Sequence, residues 1–421
     1  MRTDLLLTHI GQLATLEGGS KRPRVGDSMR ELGIVRDAAV AVSGGRFQAV
    51  GTTEEVVASL DEDPVLPEMD CHGMFAMPGF VDSHTHLVFA GSRENDFAMK
   101  LAGKTYLEIL KAGGGILNSV TETRKATAEQ LMRIAFSFGE EMVREGTTTI
   151  EVKSGYGLNT ETEVKMLDVA AALGKMLPAR IVATFLGAHA VPPEYEGRTD
   201  DYVDIVVSEM IPQVASRGLA QFCDVFCEKG VFDVEQSRRI LLAAKKAGMK
   251  LKVHADEIVQ LGGAGLAAEL GATSADHLLR ASEDDLEAMR KAGTIATLLP
   301  ATAFSLNTEY ANARKMIDMG LPVALATDFN PNCANSSMFF TLALACYKMR
   351  MFPREAITAA TVNAAHALAL QQEVGSVEVG KRADLIVLEC PSPEYLSYRF
   401  GMNLVHTMIA NGEVVHSRIG T

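Results

Sequence analysis

Short apolar, β-branched runs alternate with amphipathic helical stretches through the long middle of the chain. The runs are Phe80–His86, Thr147–Val152, Arg180–Leu186, Phe222–Phe226, Lys250–His254, Thr273–His277, Thr294–Leu298 and Pro322–Thr327. Between them, segments such as Thr127–Gly146 and Thr160–Leu173 space apolar residues three and four apart, as one face of a helix requires. Asn159-Thr160 with Glu163 comes close to a capping box for the second of these. Eight strands alternating with helices is the count that a closed (β/α)8 barrel needs. The two ends read differently. Asp4–Leu16 is a mostly apolar strand, and Ala38–Gly51 alternates around the hairpin signal Ser43-Gly44-Gly45. Asp384–Leu388 is a short apolar strand, and Met408–Val415 contains the turn signal Asn411-Gly412. The pattern predicts an α/β chain with a TIM-like barrel over 77–374. A small accessory β-sandwich domain is expected from both termini, 1–76 plus 375–421. A doubly wound open sheet is the competing architecture.

The chain has 421 residues, 47% of them apolar and 22% charged, which suits a barrel plus an accessory domain. The formal net charge is −13, which argues against nucleic acid or an anionic membrane as the main partner. It leaves room for a small anionic substrate held by a local arginine. Six cysteines carry no disulfide-framework spacing, and Cys223 and Cys227 read as buried strand residues rather than metal ligands. With no evident signal peptide and no membrane-spanning apolar run, a cytoplasmic protein is expected.

Polar residues fall at the ends of the predicted strands. The first run ends Asp82-Ser83-His84-Thr85-His86, and residues two apart on a strand point to one side. His84 and His86 therefore project together. The fifth run ends at His254, the sixth at His277, and the eighth leads into Asp328. In such barrels these ends share one mouth. Three to four imidazoles with one carboxylate suit a catalytic Zn²⁺, with iron as the alternative. His84, His86, His254 and Asp328 form the expected ligand set, with His277 either a ligand or a group that polarises a substrate carbonyl. Glu257, three residues past His254, is the candidate proton carrier; Asp256 can fill the simpler role of a helix-terminal acid. Lys153 near a strand end leaves open a two-metal site bridged by a carboxylated lysine.

Met77-Pro78-Gly79-Phe80-Val81-Asp82-Ser83-His84-Thr85-His86 resembles the first-strand signature of the amidohydrolase superfamily. Val379-Gly380-Lys381-Arg382-Ala383-Asp384-Leu385 resembles that family's return into its β-domain. Further motifs narrow the resemblance. They are Phe89-Ala90-Gly91-Ser92-Arg93, Phe97-Ala98-Met99-Lys100-Leu101-Ala102-Gly103, Ala112-Gly113-Gly114-Gly115-Ile116, Lys153-Ser154-Gly155-Tyr156-Gly157-Leu158, Gly187-Ala188-His189-Ala190-Val191-Pro192 and Asp328-Phe329-Asn330-Pro331. They resemble the branch that hydrolyses 4-imidazolone-5-propanoate to N-formimidoyl-L-glutamate in histidine degradation. The resemblance implies one Zn²⁺ or Fe³⁺ per chain and a homodimer. It implies catalytic roles for Glu257, His277 and Asp328. Substrate contacts are implied for Arg93, Tyr156, His189, Glu257, Asn330, Asn332 and Cys333, with Tyr106 a weaker candidate. Many members follow the Asn-Pro pair with Gly and Thr or Ser, where this chain has Asn332 and Cys333, so contacts there are expected from the backbone. A deaminase of an N-heterocyclic base is the alternative, and an Arg93–Tyr156 carboxylate cradle is the feature that speaks against it.

Overall fold

The computed structural model describes residues 3–60, 66–104, 108 and 113–418. The N-terminal part supplies β1 (Leu5–Ala14), β2 (Ile34–Ser43), β3 (Arg46–Thr52), β4 (Glu68–Asp70) and β5 (Phe75–Pro78). The middle supplies β6 (Phe80–Asp82), β7 (Thr147–Lys153), β8 (Arg180–Ala188), β9 (Phe222–Cys227), β10 (Lys250–Ala255), β11 (Ser274–His277), β12 (Ile295–Leu298) and β13 (Val323–Leu325). The C-terminal part adds β14 (Leu385–Leu388), β15 (Val405–Ala410) and β16 (Glu413–Ser417).

Strands β6 to β13 pair in parallel, each with its neighbour in the chain. Strands β7 and β11 are buried at every position, as parallel strands covered on both faces should be. The barrel closes just beyond the ends of β6 and β13. There the His86 N–H donates to Phe329 O (2.8 Å) and the Asp328 N–H to His84 O (3.0 Å). Below them the Thr327 N–H and hydroxyl both donate to the Asp82 carboxylate, at 3.1 and 2.5 Å. These side-chain bonds replace a regular ladder. The first strand therefore ends at Asp82 rather than running to His86, and the eighth ends at Leu325. The residues that seal the barrel are the ones that carry its chemistry. The floor is apolar: Val81, Val182, Phe222, Ile295 and Ala324 pack against Ala364 and Ala365 of the helix Val362–Ala367.

Helix starts follow local chemistry. The Thr127 hydroxyl accepts from the Gln130 N–H, and the Gln130 side chain returns to the Thr127 N–H, a full capping box. Asn159 caps Thr160–Leu173 by accepting from the Thr162 N–H (2.8 Å). Glu163 does not complete a capping box; its carboxylate is buried and turns to the preceding loop.

The terminal strands form one sheet in the order β16-β15-β14-β5-β1-β2-β3, with β4 beside β1. The sheet curls on itself. Leu7, Ile10, Val40 and Phe47 from one end share a core with Leu385, Val387 and Ile409 from the other. The Phe47 N–H donates to Lys381 O and the Ala383 N–H to Gly45 O, which joins the two halves. Gly45 takes φ +74°, and a Cβ there would lie 2.9 Å from Asn411 O. The two turns that the sequence marks thus abut, and one of them needs glycine to do so. Among the described residues no helix is long and apolar enough to cross a membrane.

Candidate metal and substrate site

The closing bonds and the strand ends bring His84, His86, His254, His277 and Asp328 into one buried cluster. Ring centroids lie 4.5 Å apart for His84 and His254, 5.2 Å for His254 and His277, and 5.4 Å for His84 and His86. Asp328 Oδ1 is 3.5 Å from Nε2 of both His84 and His86. Three overlapping groups have ligand atoms within 4.8 Å of one another: His84/His254/His277, His86/His189/His254 and His84/His86/Asp328. Among the described residues, His84 Nε2, His254 Nε2, His277 Nε2 and Asp328 Oδ1 are buried without a hydrogen bond, and His86 faces Asp328 through Nε2. Buried polar atoms are ordinarily paired. A convergent set of unpaired nitrogens around a carboxylate oxygen fits a metal ion. Asp328 and His277 hold left-handed backbone, φ +50° and +74°, the kind of local strain that clusters at functional sites.

Burial keeps the imidazoles of His84, His86 and His277 well below their ordinary pKa, and takes His189 to about 3. These rings are neutral and able to donate lone pairs. Burial opposes protonation of His254 too, but the Asp224 carboxylate outweighs it and raises that pKa. Asp328 is pushed up to about 6 by burial, against the pull of the Thr302 hydroxyl, which donates to its Oδ2 at 2.5 Å. Glu257 is pushed up to about 8, first by burial and then by the charge of Asp328. Its Oε1 lies 3.6 Å from His277 Nδ1. Glu257 sits on a loop rather than in a helical first turn. Asp256 takes the bland role, accepting from the N–H groups of Leu261, Gly262 and Ala264 at 2.7–2.9 Å.

Behind the ligands stands a buried ionic cage that strand reading missed. The His84 Nδ1 donates to Asp276 Oδ2 (2.6 Å), and His254 Nδ1 lies 2.9 Å from Asp224 Oδ2. Lys153 Nζ lies 2.8 Å from Asp224, 3.0 Å from Glu151 and 3.7 Å from Asp276. Lys252 Nζ donates to Ser83 O (2.9 Å) and lies 3.4 Å from Glu151. Burial alone would lower the Lys153 pKa, but these carboxylates raise it. A carboxylated lysine forms from the neutral amine, so this environment opposes the two-metal alternative. The available signal was period two: Glu151 with Lys153, Lys252 with His254, and Ser274 with Asp276 each lie two apart on a strand. Cys223 and Cys227 are in the apolar core, away from the donor groups.

The substrate-side residues divide. Tyr156 and His189 line the cluster, with Tyr156 5.8 Å from the His86 ring and 5.2 Å from His189. Arg93 is nearly buried and donates from Nε to the buried Asp96 (2.7 Å), which also accepts the Gly115 N–H (2.9 Å). The glycine run Gly113–Gly115 is thereby tied to Arg93 through Asp96. Asn330 is spent on its own loop: Nδ2 donates to Asp328 O, and Oδ1 accepts from the N–H groups of Asn332 and Cys333. Asn332 Oδ1 accepts from Lys100 Nζ (2.7 Å), and Cys333 packs with Ala301 and Leu344. Tyr106 lies outside the described residues.

The model of the amidohydrolase family matches residues 75–415. An imidazolonepropionase of Alkaliphilus metalliredigens is 50% identical over 418 residues, 99% of this chain and 98% of its own. One from Brevibacillus brevis is 50% identical over 417 residues, with the same coverage. In fold, the chain is similar to a Xanthomonas campestris adenosine deaminase with bound zinc (TM-score 0.72, 20% identity, 99% and 93% of the two chains). It is also similar to E. coli guanine deaminase (TM-score 0.75, 16% identity, 99% and 100%). Fold, donor set and near-full-length identity converge: the chain belongs to the amidohydrolase family and, within it, to the imidazolonepropionases.

Proposed function

We propose that this hydrolase opens the ring of 4-imidazolone-5-propanoate at a single metal ion held by His84, His86, His254 and Asp328. The observation that carries the reading is the set of unpaired imidazole nitrogens around Asp328, bordered by Tyr156 and His189, with the Arg93 charge acting on Tyr156. Zn²⁺ suits three imidazoles and a carboxylate, and Fe³⁺ is the competitor. When bound, the ion supplies Lewis acidity and makes water acidic near neutral pH. The residues do the rest. Glu257 accepts the proton of the attacking water, with Asp328 the other candidate. The water oxygen bonds to the ring carbonyl carbon, and the neutral His277 ring can donate to the oxygen that gains charge. The carbon–nitrogen bond then breaks, and Glu257 returns the proton to the departing nitrogen. Asp96 holds Arg93 by Nε, so the propanoate is taken by the Nη pair. The expected backbone contacts at Asn332 and Cys333 are not part of this reading, because both N–H groups donate to Asn330 Oδ1 within the turn. A cytoplasmic homodimer is inferred from the family resemblance, and the six free cysteines fit a reducing compartment.

The test is the decay of the absorbance of freshly made imidazolone propanoate, with and without chelator. The expected result is decay that stops on chelation and returns with one equivalent of metal. Ammonia release from a panel of nucleobases, with no decay, would replace this reading by the deaminase one. Arg93→Lys keeps charge but loses the planar fork. Its KM is expected to rise about 10- to 100-fold, in steady-state kinetics at unchanged metal content.

A further inference from the structure

Glu163 lies behind the substrate side of the site. Its carboxylate is fully buried in the first turn of the helix Thr160–Leu173. Oε2 accepts from the Gly155 N–H (3.0 Å), and Oε1 accepts from the N–H groups of Gly157 and Leu158 (both 2.8 Å). The loop from β7 to this helix is thus wrapped around one carboxylate. Gly155 holds φ +115°, and a Cβ there would meet His189 Nδ1 at 2.9 Å. A Cβ on Gly157 would meet Glu163 N at 2.6 Å. Both glycines are needed for the wrap.

The loop carries one site residue and holds another. Tyr156 is the residue between the two glycines. The Gly155 carbonyl accepts from His189 Nδ1 (3.0 Å). A carbonyl only accepts, so His189 carries its proton on Nδ1 and keeps a lone pair on Nε2. We propose that Glu163 is a positioning residue for substrate binding, fixing the loop that places Tyr156 and sets the tautomer and orientation of His189. The inference rests on the substrate roles assigned above to Tyr156 and His189.

Gln at 163 is the sharp probe. Its oxygen can still accept from Gly157 and Leu158, but its NH₂ then faces the Gly155 N–H, and two donors cannot pair. The disturbance falls at Gly155, the residue whose carbonyl holds His189.

In the metal-loaded E163Q enzyme, kcat/KM is expected to fall about tenfold to a hundredfold, mainly through KM, with metal content unchanged. In a His189→Ala background the same substitution should cost clearly less than in the parent, because one of its two targets is gone and only the contribution through Tyr156 remains. E163D keeps the charge but is one methylene short, so it should show an intermediate loss. It also serves if E163Q does not fold. An unchanged KM in a folded variant, or full additivity with His189→Ala, overturns the proposal. Side-chain ¹⁵N spectra of the zinc-loaded, histidine-labelled protein separate this from the substrate reading. The His189 Nδ1 resonance should shift in E163Q without any substrate. If the parent does not turn over imidazolone propanoate, the substrate reading fails. The His189 spectrum then decides the positioning role, and an unmoved resonance overturns it.

Discussion

Glu257→Gln is expected to purify with its full metal content and to turn over substrate about 10²- to 10⁴-fold more slowly than the parent. The substitution keeps shape and removes only the capacity to carry a proton. Two carboxylates compete for that role, and their surroundings separate them. Asp328 Oδ1 lies 3.5 Å from two imidazole nitrogens, and its Oδ2 accepts from Thr302. One oxygen faces the ligand cluster and the other is held by a hydroxyl. Glu257 stands at the edge, with 13% of its side chain exposed and Oε1 3.6 Å from Nδ1 of the neutral His277 ring. Burial and then the Asp328 charge push its carboxyl up to about 8. A group poised near neutrality both takes and returns a proton at working pH. The measurement pairs kcat with metal per chain. Full turnover in E257Q would move the proton-carrying role to Asp328. Lost metal would make Glu257 part of the binding shell instead.

The barrel was legible because burial on both faces turns parallel strands into apolar runs, and eight such runs fall between helical stretches. The ligand positions were legible because His84-x-His86, His254, His277 and Asp328 each follow a run. Three features were hidden, each for a physical reason. Strands β6 and β13 are short because the Asp82–Thr327 side-chain bonds replace their ladder, and no propensity encodes that. Glu163 reads as a helix-start acid, and only the folded loop shows which amides it serves. Lys252, Asp224 and Asp276 stand out in no motif and Lys153 reads as a candidate metal bridge, yet all four are fully buried in one ionic cage. Period two says that alternate residues share a side, not which side is the interior. Asn330 shows the converse. Its place after Asp328 suggests a substrate contact, but its amide is used to build the turn.

Asp276→Asn is expected to weaken metal binding about 10- to 100-fold. The Asp276 Oδ1 accepts from Ser274 (2.6 Å) and Oδ2 from His84 Nδ1 (2.6 Å). As an acceptor-only carboxylate it forces the His84 proton onto Nδ1 and leaves Nε2 as a lone pair facing Asp328 and the other imidazoles. In the variant, the oxygen stays with Ser274 and the NH₂ meets His84. The favoured ring tautomer then reverses: Nδ1 accepts, and Nε2 carries the proton where a metal needs electrons. The loss also reaches the cage, because Lys153 and Lys252 lie 3.7 and 3.9 Å from the Asp276 carboxylate. Removing one charge from a buried ionic group costs about 3–5 kcal/mol, so thermal stability should fall as well. Metal affinity by competition with a chelator separates the two effects. If the carboxylate orients His84, affinity drops while excess metal restores much of the turnover of folded protein. If Asp276 serves only the cage, thermal stability falls and the affinity of the folded fraction stays at the parental value.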